Sequence, residues 1–385
     1  MAEIAFWGSV ALVLYAYLGY PCALMALSFF RRHAVRAAAT GEEAPRVSFI
    51  ITAHNEAARI RDKIENTLGQ DYPAHALEIL VASDCSTDGT DDIIREYSPR
   101  VRLVRAPERR GKEAAQGLAV QSAEGEILIF SDVATALARD GVTTMVANFA
   151  DPSVGCASSI DRFVDADGRV SGEGAYVRYE MSLRALETRV NSLVGLSGSF
   201  FAARREVCRE WAADRQSDFS TLLRCVEIGW RGVLDPGTAG YYRNIADDRR
   251  ELERKVRTVV RGLHVLATNA RMLNPFRHGL FAWQLASHKL CRWLVPFAML
   301  VALVSNVLLV SPSRLYGATL AIQGGFYAAA TAGLWTRTPL LRIPAYLLLA
   351  NFAVLTAWLR FARGERIATW NPSSRLAALP QTGAR

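Results

Sequence analysis

Residues 4–30 contain no charged side chain. A helix over that run exceeds the roughly 20 apolar residues needed to cross a bilayer. No other feature restricts the fold as strongly, because it ties the chain to a membrane and makes any polar domain a tethered one. A cleaved secretory signal fits poorly: Glu3 stands where a basic cluster is expected, and Arg31, Arg32 and Arg36 follow the apolar run. Arginines just past a span place that end in the cytoplasm. Three further uncharged runs come late, at 293–313, 315–336 and 343–359, the last containing Pro344 and Asn351. Four crossings from an outside N-terminus would leave the C-terminus outside, whereas Arg360, Arg363 and Arg366 favour the cytoplasm. Ahead of these runs, the stretch 276–292 mixes Phe281, Trp283 and Leu285 with Arg277, Lys289 and Arg292. That mixture suits a helix lying in the headgroup plane, with an amphipathic helix packed on the polar domain as the alternative. The expected organisation is an anchor at 1–30, a basic linker at 31–45, a soluble domain at 46–272, an interfacial helix at 273–292, spans at 293–361 and a tail at 362–385.

The soluble stretch reads as alternating strands and helices. Apolar, β-rich runs at 47–53, 77–82, 101–104 and 126–130 are separated by helical stretches at 57–70, from about 91, and at 112–123. Such alternation implies an α/β domain built on a mainly parallel sheet. In such sheets ligands bind beyond the carboxyl ends of the strands. Three of those ends are polar: Thr52-Ala53-His54-Asn55-Glu56, Ser83-Asp84-Cys85-Ser86-Thr87-Asp88-Gly89-Thr90, and Ser131-Asp132-Val133-Ala134. No glycine-rich dinucleotide fingerprint or nucleotide-hydrolase phosphate loop follows the first strand, which argues against both of those classes.

A formal charge of +8 has three ordinary meanings: nucleic acid, anionic lipid or a phosphorylated substrate. Nothing here interleaves basic and aromatic residues as a nucleic-acid module would, which leaves lipid and phosphate. Cys22, Cys85, Cys156, Cys208, Cys225 and Cys291 are scattered and read as reduced thiols, not as a zinc site or a disulfide framework. A transporter would draw only on the apolar runs, and ionisable residues inside them, the usual mark of a translocation site, are missing.

Taken in order, the motifs resemble those of the family 2 glycosyltransferases. Thr-Ala-His-Asn-Glu is followed by Asp84-x-Ser86-x-Asp88-Gly-Thr, Arg110-Gly111-Lys112, and Gly125-Glu126 leading into Phe130-Ser131-Asp132. Tyr179-Glu180, Gly195-x-x-Gly198, Ala203-Arg204-Arg205 and Ser217-Asp218-Phe219 come next, then a basic helix at 254–262. The resemblance implies a GT-A-type nucleotide-sugar-binding domain and inverting transfer, from a UDP-sugar, to a lipid-linked or growing saccharide acceptor. It further implies a multi-pass protein of the plasma membrane whose catalytic domain faces the cytoplasm, among membrane lipids and polysaccharide synthesis or export partners. By the same resemblance Asn55, Glu56, Asp84 and Asp88 contact the nucleoside, with Asp84 accepting from the base. Lys112 lies near the phosphates, Asp132 faces ribose and sugar, and Gly198, Arg257 and Arg261 belong to the phosphate and acceptor region. Asp218 is implied as the base that takes the acceptor's proton. Plainer roles are a helix cap or turn for Asp88 and an N-cap for Asp218.

Two positions depart from the family pattern. The resemblance implies a magnesium or manganese ion, but Ala134 stands where its carboxylate ligand is expected, leaving Asp132 as the one candidate ligand. Weak binding through Asp132 and the donor phosphates, neutralisation by Arg257 and Arg261, or loss of catalysis would each accommodate the alanine. In the last case the chain would be a nucleotide-binding membrane subunit of a synthesis complex. Gly262 replaces the tryptophan that stacks on the acceptor sugar in processive relatives, so single transfer is as well supported as polymerisation.

Overall fold

The computed structural model describes residues 1–37, 44–164, 175–243, 248–311, 313–336 and 338–366. They form two compact units, one of Arg31–Ala246 and one that combines Met1–Phe30 with Asp247–Arg366. In the second, α1 (Ala2–Leu14) and α2 (Tyr20–Phe30) run on through a π-helical turn at Tyr15–Gly19.

The first unit is a sheet covered by helices on both faces. Its elements in chain order are β1 (Val47–Ala53), α3 (Ile60–Leu68), β2 (Leu77–Ser83), α4 (Thr90–Arg95), β3 (Val101–Arg105), α5 (Lys112–Ser122), β4 (Ile127–Asp132), β5 (Ala136–Leu137), α6 (Gly141–Ala147), β6 (Val154–Val164), α7 (Ala175–Val190), β7 (Phe200–Arg204), α8 (Arg205–Cys208), α9 (Ser217–Glu227) and β8 (Arg231–Arg243). The strand order is β3-β2-β1-β4-β7-β6-β8-β5. Every residue of β1 is buried, as expected of a strand with helices on both sides. Phe49 and Ile51 pack with Ile60 and Ile64 of α3 and with Val142 and Met145 of α6. Ile50, Leu128 and Phe130 pack on the opposite face with Ala115 and Ala119 of α5 and Leu222 of α9. Phe130 lies stacked against Phe201 and Trp211, with centroids at 4.8 and 4.9 Å. Burial of each such side chain contributes about 1.5–3 kcal/mol.

Register decides where the loops meet. β1 pairs in parallel with β2 and β4, aligning Thr52 with Ala82 and with Asp132. The loops after β1, β2 and β4 therefore leave the sheet side by side. β7 runs antiparallel to β4, with Ser131 opposite Phe200. This reversal delivers the segment before β7, which contains Gly198, to the same edge. The first four strands fall within two residues of the positions expected from sequence, and the sheet is mixed but largely parallel in its first half.

The described part of the basic linker is docked on the sheet unit. His33 N–H donates to Arg189 O (2.9 Å), and Arg231 Nη1 donates to His33 O (3.1 Å). Asp151 accepts from Arg36 N–H and pairs with Arg231. Burial works against its charge, but the Ser153 hydroxyl and N–H, the Arg36 N–H and the Arg231 guanidinium hold its pKa down at about 2.

The helical unit continues with α10 (Asp248–Thr268), α11 (Pro275–Leu285), α12 (Arg292–Leu309), α13 (Arg314–Trp335) and α14 (Pro339–Ala362). Among the described residues, Ala2–Phe30, Pro275–Leu309 and Leu340–Ala362 are long and apolar enough to cross a membrane. The stretch expected as a separate interfacial helix is instead kinked at Gly279 and continuous with α12 through a π-helical segment. α10, expected inside the soluble domain, packs along α14: Lys255 Nζ sits 4.1 Å from the Tyr346 ring, and His264 meets Phe361 edge-on at 4.7 Å.

Candidate active site

The loops after β1 and β2 are stapled to each other. Asn55 and Cys85 both adopt positive φ, 53° and 54°, which turns each loop sharply at the strand end. Asn55 N–H donates to Ser86 Oγ (3.1 Å), and Asn55 Oδ1 accepts from Thr87 N–H (2.8 Å). Glu56 N–H donates to Thr90 Oγ1 (2.8 Å), and the buried Glu56 carboxylate pairs with Arg59. Burial raises the Glu56 pKa, against the pull of Arg59. Asp88 accepts from Ala57 N–H (3.0 Å) and Thr90 N–H (3.1 Å). Burial opposes its charge, yet the Thr90 hydroxyl and these N–H groups hold it below the usual carboxylate range. The turn role weighed for Asp88 is therefore present in the structure, as a staple between two loops.

Asp84 is fully buried. Its Oδ1 accepts from Arg110 N–H (2.9 Å) and Gly111 N–H (3.1 Å), and its Oδ2 accepts from Gly111 N–H (3.0 Å). Gly111 has φ 100°, a conformation that L side chains rarely adopt, and this turns its N–H toward the carboxylate. The carboxylate thus holds the start of α5, a structural role that stands beside the base contact implied by the family resemblance.

The first residue of α5 is Lys112, and it connects the site. Its Nζ reaches Asp132 Oδ1 at 2.5 Å and donates to Gly198 O at 3.0 Å. The Lys112 side chain is 10% exposed and that of Asp132 25%. Gly198 in turn lies against Asp218: a Cβ added there would stand 3.3 Å from Asp218 Oδ2. Asp218 is in the first turn of α9, with Gln216 as the N-cap residue and Gln216 Nε2 donating to Oδ2 (3.1 Å). Asp218 thus does not occupy the N-cap position. Asp132, Lys112, Gly198 and Asp218, far apart in sequence, form one continuous cluster at the edge where the strands end.

One residue of this neighbourhood escaped the sequence reading. Lys63, on α3, is 3% exposed and lies beneath the Asp132 loop. Its Nζ donates to Ser131 Oγ (2.8 Å) and Thr135 O (2.7 Å) and sits 5.3 Å from the Phe49 ring centroid. Burial pushes its pKa down to about 7, with the charge of Asp132 working against the shift. The signal was there, since Lys63 falls on the Ile60–Ile64–Thr67 face that α3 turns to the core.

Arg257 and Arg261 lie one turn apart on α10 in the helical unit. Burial, then the nearby Arg261 and Arg254, lower the Arg257 pKa. Among the described residues no three His, Cys, Asp or Glu side chains are grouped to hold a metal ion. Ala134 offers no ligand, and the Asp132 carboxylate is already paired with Lys112.

Comparison with known proteins fits this geometry. Residues 48–211 match the sequence model of the family described as glycosyl transferase family 2. Those residues are a family 2 glycosyltransferase domain. They include Asn55, Asp84, Lys112, Asp132 and Gly198; Asp218 lies just beyond the match. The chain is 34% identical over 91 residues to the putative teichuronic acid biosynthesis glycosyltransferase TuaG of Bacillus subtilis, an alignment over 23% of this chain and 35% of that protein. It is 30% identical over 222 residues to the succinoglycan biosynthesis protein ExoO of Rhizobium meliloti, over 54% of this chain and 62% of that one. The chain therefore spans less than two thirds of the length of either relative. Among solved structures, the mannosyltransferase PcManGT from Pyrobaculum calidifontis, in complex with GDP-Man and Mn2+, superposes with a TM-score of 0.75 over 95% of this chain and 100% of its own, at 23% identity. The family 2 domain thus has the GT-A type of fold.

Proposed function

We propose that the protein transfers a sugar from a nucleotide-sugar donor to a lipid-linked or growing saccharide acceptor at the cytoplasmic face of a membrane, with inversion at the anomeric carbon. The convergence of Asp132, Lys112 and Gly198 of the family 2 domain with Asp218, just beyond it, carries this reading. In the reaction a bond forms between the acceptor oxygen and the anomeric carbon, and the bond from that carbon to the diphosphate oxygen breaks. Asp218 takes the acceptor's proton. Lys112 faces the charge that develops on the departing nucleoside diphosphate, a role suited to a preorganised cation in a partly dry site. The stapled loops after β1 and β2 hold the nucleoside. The membrane helices keep the domain beside an acceptor that is itself at the membrane.

A magnesium ion is commonly held by one or two carboxylates, with the remaining ligands from water and substrate phosphates. Here Asp132 is the one carboxylate on offer, so a magnesium or manganese ion fits only together with the donor's diphosphate, whose charge it would neutralise. Replacing Ala134 by aspartate should restore a second ligand. Transfer by A134D is expected to gain a dependence on manganese that the wild-type protein has to a lesser degree, read as the ratio of rates with added manganese and with chelator. An unchanged ratio would show that position 134 does not face the phosphates.

Gly198→Ala tests the acceptor side. The new methyl forces the Asp218 carboxylate to shift by a few tenths of an ångström, and small misplacements of reacting groups are costly. We expect kcat to fall by about tenfold or more, with donor affinity within a factor of about two of wild type. Equal losses in both would place Gly198 in donor binding. The overall reading is tested by offering UDP- and GDP-sugars to the protein in lipid nanodiscs with lipid-linked acceptors, followed by mass analysis. Nucleotide binding without any product would favour a nucleotide-binding subunit over an enzyme.

A further inference from the structure

Lys63 has no role in the chemistry described above, yet the fold spends much to place it. A lysine at an inward position of an amphipathic helix must shed its hydration, which costs far more than burying an aliphatic side chain of the same length. Methionine would fill that volume at no such cost. What the lysine gains is specific. Two of its three ammonium hydrogens go to Ser131 Oγ and Thr135 O, the residues that flank Asp132, Val133 and Ala134 on either side. The Phe49 ring receives the cation on another side, a favourable contact for a desolvated ammonium. The turn bearing Asp132 is thus held from beneath at both ends by one charged group. From the start of α5, Lys112 pairs with Asp132 of the same turn. Two cations therefore bracket a turn that has only one carboxylate, because position 134 is alanine.

We propose that Lys63 is a positioning residue for the donor: its buried ammonium fixes the Asp132–Ala134 turn and gives that turn a positive bias toward a diphosphate bound over it. The inference rests on the reading of Asp132 as facing the nucleotide-sugar. A lysine that only pinned the turn could be replaced by a neutral donor without loss. A lysine acting through its charge could not, and its removal would be felt by the phosphates and not by the nucleoside.

The test measures calorimetric affinities of the full chain in detergent for UDP, GDP, uridine and guanosine. The variants are Lys63→Gln (donor kept, charge lost), Lys63→Met (both lost) and Ser131→Ala (charge kept, one acceptor lost). For the nucleotide that the wild-type protein binds, K63Q and K63M should each weaken the nucleoside diphosphate about tenfold or more, the effect expected of losing a charge-assisted contact. The matching nucleoside should change less than about twofold, and S131A should bind the diphosphate within about threefold of wild type. Wild-type diphosphate affinity in K63Q would overturn the proposal, as would equal losses of nucleoside and diphosphate in K63Q. If K63M does not fold, K63Q and S131A decide the matter by the same criteria. A wild-type protein that binds neither UDP nor GDP would instead remove the donor reading itself, and this inference with it.

Discussion

Asp218→Asn is expected to lower sugar transfer by about 10²–10⁴-fold, the range for loss of a general base, while nucleotide-sugar binding persists. The carboxylate closes a chain of contacts that begins at Asp132: Lys112 touches Asp132 and Gly198, and Gly198 touches Asp218. An asparagine keeps the shape and still presents an oxygen to Gln216 Nε2, now 3.1 Å from Oδ2. It cannot accept a proton from an attacking hydroxyl. The structural penalty is small, because Asp218 is a first-turn residue and not the cap; its favourable interaction with the α9 dipole is worth about 0.3–1 kcal/mol. A thermal melt near wild type, a donor dissociation constant near wild type and a collapsed kcat together would assign the base. Undiminished turnover would remove Asp218 from the mechanism and send the search for a base elsewhere.

How far the sequence led depends on which physical constraint was local. β1 to β4 could be read because each is a short β-rich run closed by a polar turn, and β1 and β4, buried along almost their whole length, are nearly continuous apolar runs. β6, β7 and β8 carried no such mark. Phe200–Arg204 is a strand because it finds β4 on one side and β6 on the other, pairings between segments far apart in sequence. The site divides the same way. Lys112, Asp132, Gly198 and Asp218 could each be singled out by motif, but their meeting depends on the antiparallel entry of β7. Asp84 was singled out by motif, but its backbone partners could not be read. Its neighbours in sequence suggest a solvent-facing loop acid, whereas the positive φ of Gly111 brings two backbone N–H groups to it. Lys63 was overlooked because a lysine in a helix is ordinarily a solvated residue, and only its place on the Ile60–Ile64 face argued otherwise. Helix α10 was placed by continuity with the transferase motifs, but its apolar face, Val256, Val260 and Leu263, gave it a partner in the helical unit.

The backbone partners of Asp84 lead to the second large effect. In Asp84→Ala, the N–H groups of Arg110 and Gly111 lose their acceptor, and that of Gly111 is buried. An orphaned buried donor costs about 1–3 kcal/mol, so the variant should melt at a lower temperature than wild type. The functional loss should exceed what stability alone explains. Arg110 and Gly111 lead directly into Lys112, and a freed turn no longer delivers the Lys112 ammonium to Asp132 and Gly198. Affinity for the donor nucleotide should fall by about 10²-fold, the equivalent of one strong charge-assisted contact. The pattern across nucleotides separates two roles for the carboxylate. If Asp84 bonded the base, its loss would blunt discrimination between UDP and GDP and leave inorganic diphosphate competition untouched. If it positions Lys112, both nucleotides and diphosphate should weaken by a common factor, with their ratio preserved. Titration of the folded variant with the three competitors, below its melting temperature, reads that ratio directly, and a selective loss for one base would return Asp84 to the nucleoside pocket.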